Sequence, residues 1–468
     1  MRIIIGGAGR VGLELGRALS SENKDVVLID TNIKSIKAAQ ALDTLIVQGD
    51  VMRRSKLIEA GICDAKVFIA VTDSDERNML ACSLAKHTNS ELSNSDSSLL
   101  TICRVSDPRF LEEQDAGDLS NWAGVDIAIH AINGAINRLH TGLKMTCFEE
   151  VIPFGHGAYI IAMEVTKDAN NLVFSTLEEA GERIGGLPVF VGLKRIGEPS
   201  KIPNASTQIF PKDMVAVSAI GIDSFSRIVR IMGHDEPDFP DKPSIAIFGA
   251  TLVGEMMARS YLADGCKITV IEPDLVRANA LAGSDIGDNP NIEVINGELD
   301  DKELLYEIDL GAHDIALAAL SNDHASIAAA LMAKEVGVTR TGLIMNDSDL
   351  VRVVKKMGIT FAVDKKRVAV DMILACIHEA LPGPYGVLSS IPDVVGISIP
   401  VSEKNQGKSL GESYSPSGCN VAFIQRKEKD GEILTLQARS QKVLQEGDKL
   451  LLFLPPEKID EVERRFLG

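Results

Sequence analysis

The chain carries one plan twice, and this duplication constrains its fold more than any other feature. Ile3-Ile4-Ile5 leads into Gly7-Ala8-Gly9-Arg10-Val11-Gly12, then an amphipathic run, then Val26-Val27-Leu28-Ile29-Asp30. At an offset of 242 residues, Ile245-Ala246-Ile247-Phe248 leads into Gly249-Ala250-Thr251-Leu252-Val253-Gly254, and a second run reaches Ile268-Thr269-Val270-Ile271-Glu272. Further along, Val47-Gln48-Gly49-Asp50 is echoed by Ile295-Asn296-Gly297-Glu298, and Ala70-Val71-Thr72-Asp73 by Ala319-Leu320-Ser321-Asn322. Short β-branched runs alternate with longer helical patterns in each half, the signature of βαβ units that build a parallel sheet.

Each α/β segment is followed by sequence of a different texture. Tyr159–Val165, Leu187–Leu193 and Met214–Ala219 read as short strands between Gly and Pro, with a helix at Ser224–Met232. Val394–Val401, Val421–Arg426, Lys449–Phe453 and a final helix from Pro456 repeat that plan. The expected fold class is therefore α/β: tandem Rossmann-like, doubly wound parallel-sheet domains, each followed by a small α+β domain. The boundaries read as 1–145, 146–233, a Pro-rich linker at 234–243, then 244–384 and 385–468. Val125, Ile129, Ile132, Ile136, Leu139 and Leu143 fall at helical spacing and predict one apolar helical face at the end of the first α/β domain, for docking within the chain or on a neighbouring subunit.

Composition narrows the function. The formal net charge is −18 and aromatic residues make up only 4%. Nucleic-acid binding needs clustered Lys and Arg with stacking residues, so it is not expected. No apolar run is long enough to span a bilayer, and Met1–Gly6 runs into Gly-rich sequence without an apolar segment of signal-peptide length. Seven scattered cysteines without a C-x-x-C pair fit neither a disulfide framework nor a zinc site. A soluble protein of the cytoplasm is expected.

In the first half, G-x-G-x-x-G follows a strand and opens a helix. Gly7 permits the tight turn, Gly9 admits a pyrophosphate to the backbone, and Gly12 allows close helix–sheet packing. The helix N-terminus offers free N–H groups to the anion. Asp30 ends the second strand, where a carboxylate can accept both ribose hydroxyls of an adenosine. This favours NAD(H) over NADP(H) but leaves ATP and ADP open, since all carry the same diol. Gly49-Asp50 closes the third strand, Thr72 and Asp73 the fourth, and Arg104 the fifth, all at the carboxyl edge of the sheet. Arg104 could reach a phosphate or pair with Asp107. Arg10 could touch phosphate or water. Asp73, Asp75 and Glu76 could hold a cation or cap the following helix. In the second half, Gly249, Val253 and Glu272 keep the pattern, but Thr251 crowds the place of the middle glycine. That crevice reads equally as a site or as structure.

Catalysis would need an acid–base group beside the nicotinamide. No tyrosine has Lys four residues on, and the eight histidines are dispersed, with His130, His140 and His378 on helical stretches and without orienting partners. No catalytic residue and no metal site are assigned. An NAD-dependent oxidoreductase with a duplicated Rossmann domain stands as the alternative reading.

The α/β units, with G-x-G-x-x-G, Asp30, Gly49-Asp50, Val71–Glu76 and Arg104, resemble the N-terminal domain of potassium-conductance regulators (RCK, also called KTN). Gly192–Arg195, Pro203 and Pro211-Lys212-Asp213 resemble the companion C-terminal domain, as do Gly407–Leu410, Arg426 and Gly447-Asp448. Two complete pairs resemble the cytoplasmic regulatory subunits of Trk-type potassium-uptake systems. The resemblance implies a peripheral membrane protein that forms a homo-oligomer, a dimer or tetrameric ring, under an integral membrane potassium-translocating subunit. It also implies gating by NAD(H) or ATP and ADP, held by Gly7 to Val11, Asp30, Asp50, Val51, Thr72, Asp73 and Arg104. The chain departs from the family pattern at Arg10, at the long polar stretch Thr88–Ser98, and at Thr251.

Overall fold

The computed structural model describes residues 2–21, 24–42, 44–93, 98–236, 239–299, 301–380, 383–387, 390–413, 418–428, 432–439, 442–459 and 461–462. Near-continuous apolar strands such as Ile3-Ile4-Ile5, with no exposed surface, suit a sheet covered on both faces. Strands β1 (Arg2–Gly6), β2 (Asp25–Asp30), β3 (Leu45–Gln48), β4 (Ala65–Ala70), β5 (Leu100–Val105) and β6 (Ile127–His130) form that sheet in the order β3-β2-β1-β4-β5-β6. All its pairings are parallel. The Arg10–Ser21 helix lays Val11, Leu15 and Leu19 against Ile3, Ile5 and Leu28 on one face. The Asp75–Leu92 helix lays Met79, Cys82 and Ala85 against Ile4, Phe68 and Cys103 on the other. Strand order reverses between β1 and β4, which opens a crevice at their carboxyl ends.

The apolar periodicity expected from Val125 onward turns out to join two elements. Ile127–His130 is the edge strand β6, and the helix spans only Ala131–Gly142. Pairing with β5 decides this, because Thr101 donates through both its N–H and its hydroxyl to Asp126 at 2.9 Å and sets the register. A local period of apolar residues cannot report that long-range anchor. Residues 94–97 of the polar Thr88–Ser98 stretch lie outside the described residues, and Thr88 itself is buried in the Asp75–Leu92 helix.

The first small domain is an antiparallel sheet of β7 (Glu150–Pro153), β8 (Ala158–Glu164), β9 (Phe190–Lys194) and β10 (Met214–Ile220), ordered β7-β8-β10-β9. The second parallel sheet comprises β11 (Ser244–Phe248), β12 (Lys267–Glu272), β13 (Ile292–Asn296), β14 (Ile315–Ala318), β15 (Arg340–Met345) and β16 (Phe361–Asp364). Its order, β13-β12-β11-β14-β15-β16, repeats the first. In the second small domain, Lys449–Leu454 pairs antiparallel with Val395–Pro400 and Asn420–Lys427. The Pro211-Lys212-Asp213 and Gly447-Asp448 motifs are the same turn, with φ near +70° at Lys212 and +80° at Gly447. Each buries its aspartate under a bidentate arginine, Asp213 under Arg195 and Asp448 under Arg426.

Two compact units result, residues 1–134 with 366–386, and residues 135–365 with 387–468. In the first, the Lys365–Ala380 helix lays Ala369, Val370, Ile373, Leu374 and Ile377 into the same buried cluster as Ile3, Ile5, Val67 and Ile102. In the second, Leu139 and Leu143 pack over Gly342, where an added Cβ would meet either side chain at 2.9 Å. Each large sheet is thus covered by the helix that follows the last strand of the other repeat. Ile136, Leu139 and Leu143 are all buried within this one chain. Among the described residues, no helix is long and apolar enough to cross a membrane.

Candidate functional site

At the switch point of the first sheet lies a cavity of about 430 Å³ lined by Gly7, Gly9, Arg10, Val11, Asp30, Val51, Thr72, Asp73 and Arg104. Nine residues singled out from sequence therefore converge on one space. Gly7 turns at φ +109°, and an added Cβ at Gly12 would stand 1.9 Å from the Gly7 carbonyl oxygen. The tight approach at Gly12 is thus to the loop's own turn more than to the sheet. Gly9, by contrast, faces open space, with nothing within 4 Å of an added Cβ.

Asp30 holds the loop from the next strand. Its Oδ2 accepts the Ala8 N–H at 2.6 Å and its Oδ1 the Asn32 N–H at 2.7 Å. Arg104 donates from Nη2 to the Thr72 carbonyl at 2.9 Å. Burial holds its guanidinium below the usual arginine range, opposed by the Asp75 and Asp73 carboxylates; it stays charged at neutral pH. The alternative partner, Asp107, is taken by Arg109. Arg10 leans on Glu14 at 3.4 Å. Asp50 stands behind the lining, accepting from Met52 N–H and from Arg77 at 2.7 Å.

Three features were not read from the sequence. Arg77 lines the cavity from the first turn of the Asp75–Leu92 helix. Asn78, wholly buried, accepts from the Thr72 N–H and hydroxyl through Oδ1 and donates through Nδ2 to the Arg104 carbonyl at 2.8 Å. It fixes the ends of β4 and β5 to each other, and only strand adjacency reveals it. Lys366 also lines the cavity, from the Lys365–Ala380 helix.

Asp75 and Glu76 beyond β4 are structural in this arrangement, while Asp73 lines the cavity. Ser74 is the helix cap, Asp75 Oδ2 accepts the N–H groups of Ser106 and Asp107, and Glu76 bonds the Ser74 hydroxyl. Among the described residues, no group of three or more His, Cys, Asp or Glu is arranged to hold a metal ion. His130 bonds the Ser106 carbonyl, and His140 lies against Tyr261 and Asp264. The side chain of His378 lies outside the described residues.

The second crevice keeps the loop geometry, with Gly249 at φ +104° and Gly254 1.9 Å, through an added Cβ, from the Gly249 carbonyl. Glu272 accepts from Ala250 and Asp274 N–H as Asp30 does from its own loop. One partner is new: Arg277, in the place of the cavity-lining Ser35, donates to Glu272 at 2.7 Å. Thr251 spends its hydroxyl on the Ala319 carbonyl and the Gly254 N–H. Val253 follows on the helix that Thr251 caps.

The TrkA-N domain model matches residues 3–131 and again 245–365, more than half of the chain. The chain belongs to the TrkA-N domain family. This TrkA-N protein is 26% identical over its whole length to the Trk system potassium uptake protein TrkA of Haemophilus influenzae, covering 98% of that protein. It is 26% identical to the protein of the same description from Vibrio alginolyticus, over 100% of this chain and 98% of that one. It is 23% identical to the TrkA homolog of Archaeoglobus fulgidus, over all of both chains. Among solved structures it resembles the GsuK channel bound to NAD, with a TM-score of 0.53 and 17% identity, over 98% of this chain and 78% of that one. It also resembles the GsuK RCK domain, with a TM-score of 0.52 and 17% identity over 99% and 94%. The two structures establish the tandem RCK fold of the TrkA-N protein.

Proposed function

We propose that this chain is the nucleotide-binding regulatory subunit of a Trk-type potassium-uptake system. It senses NAD(H), or ATP and ADP, and controls potassium passage through an integral membrane partner from the cytoplasmic face, as a homo-oligomer. The observation that carries the reading is the convergence of the glycine loop, Asp30, Thr72 and Arg104 on one cavity at the switch point of a Rossmann-type sheet. Asp30 stands where a ribose diol would rest, Gly9 leaves the backbone open to a pyrophosphate, and Arg104 offers a fixed positive charge.

A ligand moves a conformational equilibrium only by binding its two states unequally. Arg104 at the end of β5 and Thr72 just beyond β4 are tied together by Asn78, so a change of phosphate number or nicotinamide charge there shifts two strand ends at once. A difference of about 1–3 kcal/mol between states suffices for regulation. In the second crevice, Arg277 and Thr251 occupy the groups that a nucleotide would use, so the reading assigns one nucleotide to each chain.

Calorimetric titration of NAD+, NADH, ATP and ADP into the full chain tests this. At least one should bind at one site per chain, and Asp30→Ala should weaken it about 10–100-fold, the loss expected for hydrogen bonds to a charged acceptor. Unchanged affinity in Asp30→Ala would refute the site. Steady NADH oxidation with a panel of carbonyl compounds would overturn the regulatory reading.

A further inference from the structure

The chain is acidic overall, yet Arg10, Arg77, Arg104 and Lys366 all line the same cavity, against only Asp30 and Asp73. Three of these cations belong to the first repeat. Lys366 does not: it stands two residues beyond Asp364, the end of β16 in the second parallel sheet. It reaches the cavity because the Lys365–Ala380 helix folds onto the first sheet, on the face that also carries Val11, Leu15 and Leu19 of the glycine-loop helix. The apolar face of Ala369, Val370, Ile373 and Leu374 is wholly buried there, and Met372 and Val368 occupy the space left by Gly134. The helix is therefore held in place by packing, and its first turn brings Lys366 to the cavity that Gly9, Arg10 and Val11 also line. The glycine loop and the helix N-terminus behind it are where a pyrophosphate would rest.

The geometry points to Lys366 as a nucleotide-specificity residue: the second repeat completes the first repeat's site by placing an ammonium on the pyrophosphate. This inference rests on the nucleotide reading above. A lysine ammonium is a compact point charge that bonds phosphate oxygen without requiring one orientation. It discriminates by phosphate content and leaves the adenosine to Asp30. The two changes in the second repeat then belong together. In its own crevice Arg277 bonds Glu272 and Thr251 bonds the Ala319 carbonyl, while its Lys365–Ala380 helix serves the first crevice. A nucleotide bound at the first site would grip the chain just after β16 and so register on both repeats.

The test compares ATP, ADP and AMP binding to the full-length wild type, Lys366→Ala, Lys366→Arg and Asp30→Ala, with thermal melting of each ligand-free protein. Lys366→Ala should lose about tenfold in affinity for ATP and ADP, the scale of one charge-assisted phosphate contact, and less than twofold for AMP. Lys366→Arg should recover most of the loss. ATP affinity within twofold of wild type in Lys366→Ala overturns the assignment, as does an equal loss for all three nucleotides, which would mark a merely structural lysine. If the wild type binds none of the three, the inference falls; if it also binds neither NAD+ nor NADH, the nucleotide reading falls with it. Asp30→Ala separates the cases, since it should weaken all three alike.

Discussion

Two glycines of one loop, Gly9 and Gly12, do different physical work. An added Cβ at Gly12 would collide with the Gly7 carbonyl, whereas one at Gly9 would meet nothing within 4 Å. Gly12→Ala should therefore cost about 1–3 kcal/mol of stability, as overpacking does, read by urea unfolding of the whole chain. Gly9→Ala should leave the urea midpoint unchanged and weaken nucleotide binding, because its methyl group would enter the cavity. Equal unfolding losses in both variants would refute the distinction. G-x-G-x-x-G was legible in sequence as a motif, but which glycine serves the fold and which serves the ligand depends on what stands opposite each one. Asn78 was not legible at all, since an asparagine early in a helix has no signature until β4 and β5 are adjacent.

The loop–strand element appears twice with opposite electrostatics. Asp30 faces an open cavity; Glu272 is closed off by Arg277. Burial pushes the Glu272 carboxyl up, but the Arg277 guanidinium and the Asp274 and Ala250 N–H groups outweigh it and hold it below the ordinary range. A carboxyl depressed in the folded state adds stability above its unfolded value, about 4.3, and loses it as pH falls through the lower folded value. The wild type should therefore gain stability as pH rises through that window, and Arg277→Ala should reduce the gain. Denaturant unfolding at stepped pH measures it; identical pH slopes in the two proteins would rule out the pair as a contributor. Sequence showed Thr251 as a departure from the pattern, but Arg277 passed unnoticed because it looks like any helical arginine.

At the scale of the whole molecule, repeat boundaries and packing boundaries differ, because the two repeats exchange the helices that follow their last parallel strands. In the second unit this arrangement has a buried lock. Arg340, 1% exposed, donates to the Leu143 and Lys144 carbonyls, lies 3.4 Å over the Phe239 ring and faces Glu236. Glu236 in turn accepts from Thr146 and Cys147. Linker, helix end and β15 thus meet on one guanidinium; residues 237 and 238 of that linker lie outside the described residues. Arg340→Ala should destabilise the chain by about 3–5 kcal/mol, as expected when a buried ion pair loses one partner. A loss under about 1 kcal/mol in urea unfolding would mean that the lock contributes little.

By itself, the sequence determined the duplication, the parallel sheets, the loop and the acid that mark the first crevice. All of these are written in short-range patterns: runs of β-branched residues, glycines at fixed spacing, a carboxylate at a strand end. Tertiary structure decided what no local pattern can hold. It made Ile127–His130 an edge strand through the Asp126–Thr101 anchor, joined the Asp75–Leu92 helix to the end of β5 through Asn78 and the Arg104 carbonyl, and brought Lys366 to the first cavity. The physical reason is common to all three. Each is a contact between residues far apart in the chain, and its energy exists only once the sheets and helices have brought the partners together.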